Sequence, residues 1–352
     1  MSTQPQPKTS PADAPNANVE NAVVDEKKAK RDLRNGLIAL AVLAAIVVGL
    51  LLAVPSMHGV EQRITSMPTG MVLLAVGFEV LSCSGYVLAF LQVFERAPLR
   101  FGSEVALTEL AFGAAVALGG AGSVAVGAWL LIQQGGKPRR VAERSAILFL
   151  LTSGVNLIVI AVAGIGTWTG LLPGVRNPLL TLLPGMAGVV VFFAFLALPA
   201  ITRRHLHNRS GRFATWAQVT SETITITAKT LFSFDWRLIG AWAYLLCDIT
   251  VLYISFRALG HAPPITTIIL AYQVGYLSNF IPIPGGIGVL DGSFVGLFIL
   301  FGVNATLATS ATLVYHAISL WVSTLWGTGA FIALQHTRRR PLKWREPRHP
   351  LP

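Results

Sequence analysis

The apolar stretch at residues 265–301 is interrupted at its centre by the sequence IPIPGGIG, which occupies 281–288. Its prolines cannot donate a backbone hydrogen bond, and its glycines lower the cost of leaving the helix. These helix-breaking residues are Pro282, Pro284, Gly285, Gly286 and Gly288. Inside a bilayer, broken backbone is tolerated only where it is buried in protein or lines a wet cavity, because lipid cannot satisfy the freed N–H and C=O groups. The stretch therefore predicts a binding site at membrane depth.

The composition places the rest of the chain in the membrane as well. Of the 352 residues, 53% are hydrophobic and only 12% are charged, whereas a soluble domain carries about 25% charged residues. This pattern predicts an all-α polytopic membrane protein. The further apolar segments are 36–54, 69–94, 101–134, 146–165, 179–201, 238–256 and 305–334.

The segment at 101–134 is also interrupted, by the glycines Gly119, Gly120 and Gly122. Each of its two arms falls short of the ~20 residues of a comfortable span. Both a re-entrant hairpin and two short crossings fit this length. Either arrangement returns the chain to the side of the membrane that it left.

The order of these elements predicts two inverted repeats. Residues 36–165 contain two spans, a broken hairpin and a third span, and residues 179–334 contain the same series. When the first series starts inside the cell, the second starts outside. Inverted repeats with paired interrupted segments build transporters whose binding site lies near the bilayer midplane.

The basic residues predict the orientation of the chain. The formal net charge is +11, and with a cytoplasmic N-terminus only Arg63, Arg176 and Arg257 fall outside among the Lys and Arg residues from Lys27 onward. This asymmetry follows the positive-inside rule and accounts for the charge without a nucleic-acid partner. Both termini are therefore expected in the cytoplasm.

Four regions follow from this layout. Residues 1–34 are polar and charged and cannot bury a core, so a disordered cytoplasmic tail is expected. Residues 35–336 are the predicted transmembrane domain, within which 202–237 is a basic, interfacial segment on the cytoplasmic side. Residues 337–352 are a basic cytoplasmic tail.

Two carboxyl groups at membrane depth are the first candidates for a site. Glu79 and Asp248 each lie about ten residues into a span, and the two spans hold the same place in the two repeats. A charge at this depth costs several kcal/mol, so such a residue is a functional candidate by default. We expect the pair to line a central cavity and to contact a cationic headgroup or carry protons. The alternative is that each carboxyl is neutral or hydrogen-bonded to a neighbouring helix.

Further polar residues lie close to the two breaks in the sequence. Glu109 and Asp291 face either the site or a solvated vestibule. Tyr272, Gln273 and Asn279 precede the second break and offer hydrogen bonds to phosphate or sugar oxygens, or to neighbouring helices.

His316 and Arg144 complete the set of candidates. The histidine lies in the last apolar run, where it fits a proton relay, a phosphate partner or a hydrogen-bonded packing residue equally well. The arginine opens the span after the first hairpin. It either clamps a phosphate in bidentate fashion or is an inside-facing topology charge.

The sequence carries no specific enzyme or cofactor motif. Cys83 and Cys247 lie in apolar segments without the spacing of a structural zinc site. The Walker A, HExxH and Gly-x-Ser-x-Gly signatures are missing. We therefore expect no metal and no cofactor, and neither ATP-driven transport nor hydrolysis has local support.

Two glycine-rich stretches resemble a known family. They are LGGAGSVAVGAW at 118–129, followed by GKP at 136–138 and ER at 143–144, and IPIPGGIGVLDG at 281–292, followed by YHAISLW at 315–321. With the hairpin layout, they resemble the lysylphosphatidylglycerol synthase transmembrane-domain family over roughly residues 36–335. The resemblance implies a flippase-like integral membrane protein with inverted repeats, re-entrant hairpins and lipid translocation.

This chain also differs from that family in two ways. In its full-length synthases, a soluble domain transfers lysine from charged tRNA to phosphatidylglycerol, whereas here only a basic tail follows Leu334. No synthase activity is therefore expected. Many relatives carry a proline before the first glycine break, but this chain has Val116, Ala117 and Leu118 there, which changes the expected shape of that hairpin.

Three functions remain open on the sequence. A flippase-like transporter in a bacterial cytoplasmic membrane would pass an aminoacyl phospholipid or a polyprenyl-linked sugar through a midplane cavity. A non-transporting accessory subunit would instead dock a lipid-modifying or glycosyl-transferring enzyme through its basic inner face. A membrane enzyme acting on lipid-linked substrates has the least support, because no paired catalytic motif is present. Membrane lipids, such an enzyme and a second copy of the chain are the candidate partners.

Overall fold

The computed structural model describes residues 63, 65–95, 97–115, 119–206, 223–229, 238–277 and 289–337. Within these ranges the secondary structure is helical and contains no strand, so the predicted all-α class is confirmed. The predicted span at 36–54 and the second break at 281–288 lie outside the described residues. Of the predicted interfacial segment, the described part includes a short helical stretch at 223–229.

Nine helices of more than ten residues occupy the described ranges. They are α1 (Thr69–Val93), α2 (Leu99–Ala115), α3 (Gly119–Gln133), α4 (Pro138–Thr169), α5 (Leu183–Leu206), α6 (Ile239–Ala258), α7 (Ile265–Gly275), α8 (Val289–Leu300) and α9 (Ala305–Thr337). A π-helical turn, Pro178–Leu182, leads directly into α5. The side-chain oxygen of Asn177 starts this turn by accepting hydrogen bonds from the backbone N–H groups of Leu179 and Leu180.

Five helical segments in the described residues are long and apolar enough to cross a membrane. They are Thr69–Val93, Pro138–Thr169, Pro178–Thr202, Ile239–Ala258 and Ala305–Leu334. Each coincides with a span predicted from the sequence, so a multi-pass membrane protein is confirmed. The third of these spans exposes a large apolar face, which suits a helix that contacts lipid.

The interrupted segments form pairs of short helices. In the first pair, α2 ends at Ala115 and α3 begins at Gly119, so the predicted glycines occupy the first turn of the second arm. In the second pair, α7 has 11 residues and α8 has 12. Both described arms are therefore shorter than the ~20 residues of a full crossing.

Helices α1 and α6 pack together most extensively and cross at backbone contact. A Cβ atom on Gly85 would lie 2.6 Å from the backbone nitrogen of Tyr244, and a Cβ on Gly240 would lie 2.8 Å from that of Ala89. Only glycine fits such a close crossing, and small residues commonly mediate helix packing in membranes. Gly85 meets Tyr244, whereas Ala89, which comes later in α1, meets Gly240, which comes earlier in α6. The two helices therefore run antiparallel.

The other helices surround this central pair. Helix α9 packs against α2, α6 and α1, and α4 packs against α5 and α7. The contact between α4 and α5 is again made by glycine, since a Cβ on Gly185 would lie 2.9 Å from the backbone nitrogen of Ile165. The buried core extends over α1, α2, α3, α4, α6, α7, α8 and α9, so residues from both halves of the chain share one interior.

Candidate functional site

Glu79 of α1 and Asp248 of α6 meet in this shared interior. Their side chains are buried, with 3% and 8% of the residue surface exposed. The two carboxyl groups lie within hydrogen-bonding range of each other. The sequence predicted both residues as a carboxylate pair near the centre, and the structure brings them together.

Two tyrosines hold one oxygen of Asp248. Tyr272 of α7 and Tyr315 of α9 both donate their hydroxyl hydrogen to Asp248 Oδ2, the latter at 3.0 Å. Asp248 Oδ1 is buried and has no hydrogen-bond partner in the described part of the chain. One carboxyl oxygen is therefore fully engaged, and the other points to a position without a donor.

Glu79 is held in a similar way from α9. Ser323 donates its hydroxyl to Glu79 Oε1 at 3.1 Å, and the Cys83 thiol lies 3.8 Å from the same oxygen. Ser319, one turn earlier on α9, lies near the carboxyl group as well. Glu79 Oε2 is buried and lacks a partner among the described residues.

A third acidic side chain, that of Asp291, lies near this pair. His316 Nδ1 is 2.6 Å from Asp291 Oδ1. This contact joins the first turn of α8 to the middle of α9. Both residues are largely buried. His316 also lies close to Asp248. We call Glu79, Asp248, Asp291, His316 and the tyrosines Tyr272 and Tyr315 the central polar cluster.

Aromatic rings close one side of the central polar cluster. Tyr272 stacks on Tyr276 with ring centroids 5.2 Å apart and contacts Phe294 of α8 at 5.7 Å. Phe294 in turn lies 6.0 Å from the ring of Tyr315. These contacts fix both tyrosine hydroxyls in place and keep the carboxyl group of Asp248 in an apolar surrounding.

Glu109 forms a separate buried contact. Its Oε1 accepts a hydrogen bond of 2.7 Å from the hydroxyl of Tyr86, which links α2 to α1. The carboxyl group lies directly over Gly127 of α3, where a Cβ atom would come within 3.0 Å of Glu109 Cδ. With 3% of its surface exposed, Glu109 is buried, and its exposure to a solvated vestibule stays a prediction.

Arg144 lies away from the central polar cluster. Its Nη1 donates a hydrogen bond of 3.0 Å to the carbonyl oxygen of Val93, the last residue of α1. Fourteen residues separate Val93 from Glu79 on that helix, which is about 21 Å at 1.5 Å per residue. The guanidinium group therefore stabilises the C-terminal end of α1, and a role as a phosphate clamp stays a prediction.

The three contacts with α1 follow one face of this helix. Glu79, Tyr86 and Val93 are seven residues apart, and seven residues are nearly two complete turns, so the three positions lie almost in line. Glu79 belongs to the carboxyl pair, the hydroxyl of Tyr86 donates to Glu109, and the carbonyl oxygen of Val93 accepts from Arg144. A line of polar contacts, buried at Glu79 and Tyr86 and part-buried at Val93, therefore runs along α1 over about 21 Å.

The remaining predicted residues are placed only in part. Gln273 is buried in α7, and its amide nitrogen has no hydrogen-bond partner within the described ranges. Asn279 lies outside the described residues, as do Pro282, Pro284, Gly285, Gly286 and Gly288. Over the same described ranges, no group of three or more His, Cys, Asp or Glu side chains is arranged to hold a metal ion.

The sequence predictions missed several residues that hold the pair. Tyr315, Ser319 and Ser323 follow each other at intervals of four, which places them on one face of α9. A polar stripe of this kind in an apolar run is a signal that the sequence contains. Tyr86 carried no such signal, because its importance arises from the contact with Glu109 on another helix.

Comparisons with known proteins agree with the fold. Residues 36–327 match the family described as the lysylphosphatidylglycerol synthase TM region. Two UPF0104 membrane proteins of Methanothermobacter thermautotrophicus are similar over shorter stretches. One is 38% identical over 95 residues, which are 27% of this chain and 26% of that protein. The other is 36% identical over 77 residues, which are 22% and 23%. These matches therefore span about a quarter of the length of each relative.

Proposed function

The chain belongs to the lysylphosphatidylglycerol synthase TM-region family, and we propose that it is a flippase-like transporter that moves a polar-headgroup lipid across the membrane. The observation that carries this proposal is the buried pair of Glu79 and Asp248 between two membrane-spanning helices. A charged side chain costs about 3 kcal/mol at the centre of a spanning helix. Two carboxyl groups in contact at this depth are expected to be retained for a function.

The packing of the helices supports an inverted repeat. Helices α1 and α6 hold the same place in the two predicted repeats, and they run antiparallel across the closest crossing. Helix α9, the last helix of the second repeat, packs on α2, the first arm of the first hairpin. Helix α4, the last helix of the first repeat, packs on α7, the first arm of the second hairpin. This reciprocal pattern is expected when two halves are related by an axis in the membrane plane.

The chemistry of the central polar cluster suits a lipid headgroup. Carboxyl oxygens accept hydrogen bonds from an ammonium group or from sugar hydroxyls, and tyrosine hydroxyls both donate and accept. Aminoacyl phospholipids and polyprenyl-linked sugars therefore remain the two cargo classes. The line of polar contacts along α1 offers further partners over about 21 Å, while the acyl or prenyl tail stays in lipid.

Reconstitution into proteoliposomes tests this proposal. Lipids labelled in the headgroup, including an aminoacyl phosphatidylglycerol and a polyprenyl-phosphate sugar, are placed in one leaflet, and their appearance in the other is followed with a membrane-impermeant quencher. We expect redistribution of one class with the wild type and a slower rate with Glu79→Gln. Glu143→Gln is a matched control, because Glu143 lies in α4 in an exposed pair with Arg139.

The outcome also separates transport from an accessory role. If no headgroup class moves between leaflets, and an enzyme that modifies lipids or transfers sugars purifies with the chain, the accessory function would replace transport. If labelled lipid moves no faster with the wild type than in empty liposomes, the transport proposal is contradicted.

A further inference from the structure

The central polar cluster contains more acidic than basic groups. Its carboxyl groups are those of Glu79, Asp248 and Asp291, and its one imidazole is that of His316. Other titratable groups that face the Glu79–Asp248 pair from the surrounding helices are uncharged in their ordinary form. They are Cys83, Tyr244, Cys247, Tyr272 and Tyr315. In the described part of the chain, no salt bridge joins a lysine or an arginine to Glu79 or Asp248.

Among the described residues of the cluster, acidic groups outnumber basic groups by three to one. If His316 were an imidazolium and all three carboxyl groups were ionised, two negative charges would remain in a buried site. Two carboxylates in contact do not both stay ionised in such surroundings, because their repulsion and the loss of water both favour a proton on one of them. A proton is the smallest group that restores a favourable interaction.

The hydrogen bonds show where such a proton fits. Asp248 Oδ2 and Glu79 Oε1 already accept hydrogen bonds from Tyr272, Tyr315 and Ser323. Among the described residues, the oxygens without a donor are Glu79 Oε2 and Asp248 Oδ1, one on each partner, and both are buried. A single proton bound to one of these carboxyl groups makes it a donor, and the other carboxyl group then accepts its hydrogen bond.

We propose that Glu79 and Asp248 share one exchangeable proton, and that movement of this proton is coupled to movement of the lipid. This inference rests on the proposed function and adds its energy source. His316 and Asp291 connect the pair to the first turn of α8, which follows the interrupted segment. On each cycle the pair releases its proton to the water on one side of the membrane when the headgroup occupies the site, and it takes up a proton from the water on the other side after the headgroup has left. One proton and one lipid then move in a fixed ratio.

Infrared difference spectroscopy tests the shared proton without any transport assay. The purified protein is taken through a pH titration, and the C=O stretch of protonated carboxyl groups is recorded in H2O and D2O. We expect a deuterium-sensitive band that is lost in both Glu79→Gln and Asp248→Asn, because each variant removes one partner of the same pair. The band should persist in Glu143→Gln. Survival of the band in both variants, with their folded state checked by thermal unfolding, would overturn the proposal.

A pH gradient across proteoliposomes tests the coupling. With one proton per lipid, a difference of one pH unit shifts the steady-state ratio of labelled lipid between leaflets by up to about tenfold. We expect this shift with the wild type and with Glu143→Gln, and its loss in Glu79→Gln. Lipid that redistributes with no response to the gradient would contradict the coupling and leave the transporter function standing. An intact infrared band without any lipid movement would support the shared proton and contradict the transporter function instead.

Discussion

Glu79 and Asp248 come from opposite halves of the chain and bring their carboxyl groups into hydrogen-bonding range inside the protein. The glycine-mediated crossing of α1 and α6 makes this contact, because it brings the two helix backbones together one to three turns away. The position of the pair therefore depends on how these two helices pack. The sequence alone predicts only that they hold the same place in the two repeats.

Enlarging Gly85 should separate α1 from α6. In Gly85→Val the new side chain meets the backbone of Gly240 and Tyr244, which cannot move aside without moving a helix. Overpacking of a core costs about 1–3 kcal/mol, and contact with backbone places this site at the upper end. We expect a lower midpoint of thermal unfolding in detergent and slower lipid redistribution. Gly77→Val is the matched control on the same helix, since nothing lies within 4 Å of a Cβ there.

Removing the tyrosine hydroxyls should weaken the support of Asp248 in a non-additive way. Tyr272→Phe and Tyr315→Phe should each cost about 1 kcal/mol, as expected for one hydrogen bond when a second donor remains. The double variant should cost more than the sum, because Asp248 Oδ2 then has no donor among the described residues. Unfolding free energies in detergent measure this, and strictly additive losses would argue against a shared acceptor. Tyr253→Phe is the control, because Tyr253 is half-buried in α6.

The contact of His316 with Asp291 should appear as a coupling energy. Asp291→Asn, His316→Asn and the double variant form a thermodynamic cycle, and directly bonded residues usually couple by about 0.5–3 kcal/mol. We expect a coupling in this range for the unfolding free energy in detergent. A coupling near zero would mean that the pair does not act as a unit.

Glu109 and Gly127 should behave as an interlocking pair. Gly127→Ala places a methyl group against the Glu109 carboxyl and should lower stability by about 1–3 kcal/mol. In a Glu109→Ala background the space is open, so the same glycine substitution should cost much less. An equal cost in both backgrounds, measured by thermal unfolding, would show that the carboxyl group does not occupy this position.

Much of the fold follows from hydropathy. The five described spans coincide with apolar runs of the length of a bilayer, because in lipid every backbone group must be satisfied within a helix. The first interruption differs in detail, since α3 already begins at Gly119 and the predicted glycines belong to its first turn. Glycine is permissive of both a break and a helix, so its position alone does not fix where the break lies.

The candidate site was predictable in part. Glu79 and Asp248 stand out because carboxyl groups are rare within apolar runs. The separation of Arg144 and Glu109 from that pair was not predictable, since it depends on where α4 and α2 meet α1. The contact of Glu109 with Tyr86, and that of Arg144 with Val93, arise from tertiary packing that periodicity does not encode.

The most direct measurement is the rate of lipid redistribution in proteoliposomes for the wild type, Glu79→Gln, Asp248→Asn and the double variant, each shown to be folded. If the two carboxyl groups act as one functional unit, each single variant should slow redistribution by about tenfold or more, and the double variant should be no slower than the singles. Wild-type rates in all three folded variants would contradict the central claim that lipid movement depends on the buried pair.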